Sequence, residues 1–157
     1  MTTTTPNPLD DARPTAVTMD RIIDAMKSEF DITLIPGEHP ESATANLNGL
    51  ACTFAVLGSM AIVRAEADSG VAVDAADATW YLAANDINST GVGAAAIIVD
   101  RGPSLLLRTE AEMSVAAGLT DAQLTENLRF GVDAVITTHD AVRATAEHIT
   151  ARRTGQA

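Results

Sequence analysis

The chain reads as a two-layer α+β domain, an antiparallel sheet with helices on one face, in the order α-β-β-β(-β)-α-β-β-α. Three observations lead there. Helical apolar periodicity appears at the start, the middle and the end of the chain, and the intervening segments alternate with period two. Turn signals between those segments are short, so neighbouring strands pair antiparallel. With 157 residues, 46% hydrophobic, the chain has enough apolar content for one core, and only 3% aromatic content implies close approach over small side chains.

Residues 1–17, rich in Thr and Pro, read as a disordered N-terminal tail, 18–150 as a single domain and 151–157 as a C-terminal tail. Order is expected to begin at Thr18, the N-cap of "MDRIIDAMKSEF", where Met19, Ile22, Ile23, Met26 and Phe30 share one helical face. Val17 and Ile22 stand at the two positions of a hydrophobic staple. "DITLI" alternates as a strand and stops at Pro36-Gly37. "ATANL" and "LACTFAVL" flank Asn48-Gly49, a hairpin signal because both residues tolerate positive φ. After Gly58-Ser59, "AIVRAEAD" puts Ile62, Arg64 and Glu66 on one face and Ala61, Val63, Ala65 and Ala67 on the other, a half-exposed strand.

Asp74 is the expected cap of a second helix whose buried face carries Ala76, Trp80, Ala83 and Ile87. Two strands, "AAAIIVD" and "SLLLRTEAEMSV", follow around a turn at 100–103. The last helix starts with a capping box of Thr120 and Gln123, a Leu119–Leu124 staple and Asp121 at the positive end of the dipole.

"DINSTG", 86–91, fits the first half of an EF-hand loop, but the twelfth position is Ile97 instead of a bidentate Glu and a strand follows it. The segment reads instead as a fraying helix end, with Asn85 and Asn88 bonding the turn and Gly91 supplying a left-handed stop. "GVGAAA" resembles a dinucleotide fingerprint in composition, yet it leaves a helix and enters a strand, the reverse of what pyrophosphate binding needs. His39, His139 and His148 lack metal-site spacing, and Cys52 alternates within a strand as a small core residue. No catalytic, cofactor or metal residues are assigned. The net charge of −11, with pI near 4.4, repels phosphate backbones and disfavours nucleic acid. No apolar run approaches the ~20 residues that span a bilayer, and the N-terminus lacks the basic start and apolar stretch of a secretory signal. A cytoplasmic location away from membranes is expected.

The final helix carries Leu128, Val132, Val135, His139, Val142, Ala146 and Ile149 at alternating spacings of four and three. Residues 124–135 are expected to cover the domain's own sheet. Thirty helical residues span about 45 Å, more than short strands need, so Val142 and Ile149 are expected to face a second copy or a partner. Leu128, Val132, Val135, His139, Val142 and Ile149 thus form a candidate partner or dimer seam. Gly131 and Thr137-Thr138 weaken the helix and leave a break open.

Over roughly 18–149 the chain resembles the YbjN-domain family of bacterial sensory-transduction regulators. The carriers are "MDRIIDAMKSEF", "NDINSTGVGAAAIIVDRG" and "LRTEAEMSVAAGLTDAQLTENLRFGVDAV". Asn85 and Asn88 fit the family's Asn-x-x-Asn helix end, and Gly118, Leu119, Thr120 and Leu124 fit its entry into a long helix. Ile87 stands where members often carry Trp, and aromatics are fewer here. The resemblance implies a fold similar to type III secretion chaperones, which are small, acidic, usually homodimeric and bind extended client segments. The expected function is therefore a non-enzymatic adaptor or chaperone-like regulator that binds a protein client, as a homodimer. The alternative is a small-molecule sensing domain with its ligand between helix and sheet.

Overall fold

The computed structural model describes residues 13–91 and 93–155. Most of the tail expected over 1–17 lies outside them. Within them the domain starts earlier than expected, because Thr15 forms an antiparallel bridge with Leu119 and Val17 is buried.

Helix α1 (Met19–Phe30) begins where expected, with the Thr18 hydroxyl accepting from the Arg21 N–H at 3.3 Å. Met19, Ile22 and Met26 are its buried face. Asp31 ends it in the left-handed region (φ 54), and the Ile32 N–H donates back to the Met26 carbonyl at 3.0 Å. That turn consumes the first residues of "DITLI", so strand β1 is only Ile35–Pro36. Pro36 has no N–H with which to extend the ladder.

Strands β2 (Ser42–Leu47) and β3 (Leu50–Leu57) form the expected hairpin, with Asn48 and Gly49 both at positive φ (52 and 87). Gly58-Ser59 leads into β4 (Met60–Ala72), and Ala61, Val63 and Ala65 are buried while Ile62, Arg64 and Glu66 are half-exposed. Helix α2 (Thr79–Thr90) starts later than expected. Asp74 caps nothing; Asp77 accepts from the Thr79 N–H at 2.9 Å and its hydroxyl at 2.6 Å, and Ala76 lies exposed ahead of the helix. Gly91 ends α2 in extended backbone (φ −79, ψ 153), not in the left-handed region; positive φ falls at Gly93 instead.

Strands β5 (Ala95–Val99) and β6 (Ser104–Ser114) form the second hairpin, and helix α3 (Asp121–Thr154) completes the chain. The capping box is present in both directions, Gln123 N–H to the Thr120 hydroxyl at 3.1 Å and Thr120 N–H to Gln123 Oε1 at 2.9 Å. The helix is unbroken over 34 residues, so it runs through both Gly131 and Thr137-Thr138 and into the segment read as a C-terminal tail.

All six strands form one antiparallel sheet in the order β1-β2-β3-β4-β6-β5. One face carries Phe54, Val63, Leu107 and Ala111, and all three helices pack there. At Gly131 a Cβ would stand 3.3 Å from the Val63 side chain, and the Thr109 hydroxyl donates to the Val135 carbonyl at 3.1 Å. The missing side chain lets α3 approach the centre of the sheet.

Candidate functional site

The stripe on α3 does not form an outer seam. Leu128, Val135 and Val142 are fully buried within the chain, His139 is 2% exposed, and Val132 and Ile149 are half-buried. Val142 packs in a second core cluster with Ala83, Ala84, Ala96, Leu107 and Ala146, and Ile149 lies against it. The expectation that Val142 and Ile149 face outward rested on short strands, but β6 has 11 residues and α2 adds a second wall. The stripe therefore faces inward along its whole length.

His139 is the anomaly in that stripe. Its Nδ1 is sealed from solvent without a hydrogen-bond partner. Leaving such a group unpaired costs about 1–3 kcal/mol. Burial pushes the imidazole below the ordinary histidine pKa; the Asp140 charge opposes this and the Arg143 guanidinium adds to it. The ring lines a cleft of about 600 Å³ between the second half of α3, α2 and the sheet, with Ala67, Leu107 and Ala146 in its apolar lining and Trp80 and Arg143 around it. The aromatic wall and the arginine were missed in the sequence reading. His139, Arg143, Ala146 and Thr150 are one more helical face at 4-3-4 spacing, and that signal was present.

Among the described residues, the opposite face of the sheet carries no helix. Two ion pairs cross its centre, Arg64 to Glu110 at 2.6 Å and Arg108 to Glu66 at 2.6 Å. The local sequences explain them: "RAE" on β4 and "RTE" on β6 are both Arg-x-Glu, and antiparallel register sets each Arg opposite the other strand's Glu. Around these pairs the face is mixed: Ile35, Leu57 and Ile97 are exposed and Ile62 and Leu106 half-buried, while the register sets Thr44, Thr53 and Glu112 among them. A second concavity of about 470 Å³ lies here, lined by Pro40, Thr53, Ala55, Leu57, Ile62 and Arg64.

Of the residues that carry the resemblance, Asn88, Gly118 and Leu124 have local structural contacts and Asn85 has none among the described residues. The Asn88 carboxamide donates to the Ala96 carbonyl and accepts from the Ala96 N–H, both at 2.8 Å. It occupies the outward backbone groups of edge strand β5 as a neighbouring peptide would. Asn85 is exposed, and no side-chain hydrogen bond to it occurs among the described residues. Gly118 has φ 73, and a Cβ there would stand 2.5 Å from the Thr15 carbonyl oxygen. Beside it the Arg21 guanidinium joins three segments, reaching the Thr15 and Ala16 carbonyls at 2.9 Å, the Leu119 carbonyl at 3.0 Å and Asp121 at 2.6 Å. Leu124 is buried, and Leu119 and Thr120 are half-buried at the helix entry.

Cys52 is 1% exposed and burial raises its pKa, as suits a core residue. Among the described residues no three His, Cys, Asp or Glu side chains converge on a possible metal position, and no helix is long and apolar enough to cross a membrane.

No family model and no curated protein sequence matches the chain. Among solved structures, the crystal structure of "YbjN, a putative transcription regulator from E. coli" aligns with a TM-score of 0.68 at 13% identity, covering 86% of this chain and 96% of that one. The HopA1–SchA chaperone–effector complex aligns with a TM-score of 0.48 at 11% identity, covering 83% of this chain and 98% of that one. The first match meets the expectation of a YbjN-like architecture over most of the chain. At such identity a likeness speaks for fold alone, and on that ground this chain has the fold of YbjN.

Proposed function

We propose that the chain is a non-enzymatic adaptor that binds an extended segment of a partner protein across the bare face of its sheet. The observation that carries this reading is the sheet face on which no helix lies among the described residues, with an apolar concavity on it beside Pro40, Ala55, Leu57 and Ile62. Strand addition at β5 is disfavoured, because Asn88 already fills the edge at Ala96. The net charge of −11 favours a partner with basic flanks and opposes a second copy of the chain. A homodimer is the competing occupant of the face.

The test uses paired baits. The full chain and its Leu57→Glu/Ile62→Glu variant are used for affinity purification from the native cell, followed by mass spectrometry, with melting curves showing that both are folded. A partner held by the wild type and lost by the variant supports the reading. Equal recovery by both overturns it. Light scattering after size exclusion at micromolar concentration separates the occupants: twice the chain mass in the wild type and a single mass in the variant assigns the face to a second copy.

A further inference from the structure

We propose that the cleft between the second half of α3 and the sheet binds a small carboxylate with a planar apolar body. The space, about 600 Å³, is in the range that small ligands occupy. Part of its lining is apolar, at Ala67, Leu107, Ala146 and the Trp80 indole, and part polar, at Asn48 and Ser69.

One group in it lacks a partner and a second is only loosely paired. The His139 ring is buried at a position where the rest of the stripe is aliphatic, and its sealed Nδ1 has no partner. With Nδ1 sealed, Nε2 is the ring nitrogen left to meet a ligand, and it is a donor when it carries the proton. One turn on, Arg143 has a side chain 58% exposed, and its ion-pair partner Glu147 stands 3.8 Å away, beyond hydrogen-bond distance. A donor and a cation at i and i+4 on one helix face match a single carboxylate, and Arg offers it a two-pronged grip.

Acidic groups also border the site. Asp68 is engaged by the Gly70 N–H at 2.8 Å and the Ser104 hydroxyl at 2.7 Å, and Glu147 lies on the α3 side. A ligand amino group would meet these, so the same chemistry admits a simple aromatic acid or an aromatic amino acid.

Trp80 is the chain's one tryptophan, so its emission reports on the cleft. The full chain is titrated with benzoate, phenylacetate and L-phenylalanine, with benzyl alcohol as the uncharged control. The expected result is a saturable change for at least one carboxylate with Kd below about 1 mM, at least about tenfold weaker in Arg143→Ala, in His139→Leu and for the alcohol. Tighter binding of L-phenylalanine than of phenylacetate assigns the amino acid; the reverse assigns the simple acid. No saturable change up to about 10 mM, equal affinity in Arg143→Ala, or equal binding of benzyl alcohol overturns the proposal. Arg143 is at the surface, so that variant stays informative if His139→Leu alters folding. The Leu57→Glu/Ile62→Glu variant should titrate like the wild type, which separates this site from the adaptor face.

Discussion

His139 couples the stability of the fold to pH. Burial holds the native ring neutral, with its pKa below the ordinary histidine value, whereas the unfolded ring takes up a proton below about pH 6.5. A histidine depressed in this way contributes its full stability above the unfolded pKa and loses it as pH falls through that value. If the native ring stays neutral down to pH 5.5, lowering the pH from 7.0 to 5.5 costs at most about 1.3 kcal/mol by linkage. For a domain of this size that lowers Tm by about 3–5 °C. Asp31 (held low by Lys27), Asp68 (by the Gly70 N–H) and Asp77 (by the Thr79 hydroxyl) stay ionised through that window and contribute little to the change. The assay is thermal unfolding by circular dichroism at both pH values for the wild type and His139→Leu. The variant should lose much less and be no less stable at pH 7.5, because it leaves no sealed ring nitrogen unpaired. An identical pH response in both proteins would refute the reasoning.

Three further outcomes are expected. Gly118→Ala places a Cβ 2.5 Å from the Thr15 carbonyl at φ 73, so urea denaturation should show a loss of about 2–4 kcal/mol; a loss under about 0.5 would contradict the bridge. Asn88→Ala removes two hydrogen bonds and uncovers the β5 edge, so it should cost about 1–3 kcal/mol and raise concentration-dependent light scattering, and an unchanged scattering curve would count against the plug. Leu128→Ala should destabilise by about 2–5 kcal/mol without changing the molecular mass in solution, whereas a subunit seam would respond by a drop in mass with little loss of stability.

Much of the fold was legible because its signals are local. Asn48-Gly49, the Thr120–Gln123 capping box and the alternation on β4 depend on residues a few positions apart, and each formed as expected. The start of α2 was misplaced by the same reasoning, since Asp74 and Asp77 are both acceptable caps and only packing at Thr79 chooses between them. The Arg-x-Glu pairs could have been found from "RAE" and "RTE" once β4 and β6 were known to be neighbours. That neighbourhood is a matter of strand order, which β5 complicates by lying outside β6. Of the candidate site, the sequence marked His139 as a polar residue on an apolar stripe and left Trp80 and Arg143 unconnected to it.

By itself the sequence determined the type and order of the elements and left only one strand of their number open, because periodicity, caps and turn chemistry act over a few residues. Only the tertiary structure decided which way the α3 stripe faces. Periodicity specifies an apolar face but not its occupant, and here a long β6, α2 and the gap at Gly131 bring the sheet up to it. The same packing leaves the outer face of the sheet without a helix among the described residues and seals one imidazole nitrogen without a partner, two features set by contacts between residues far apart in the chain.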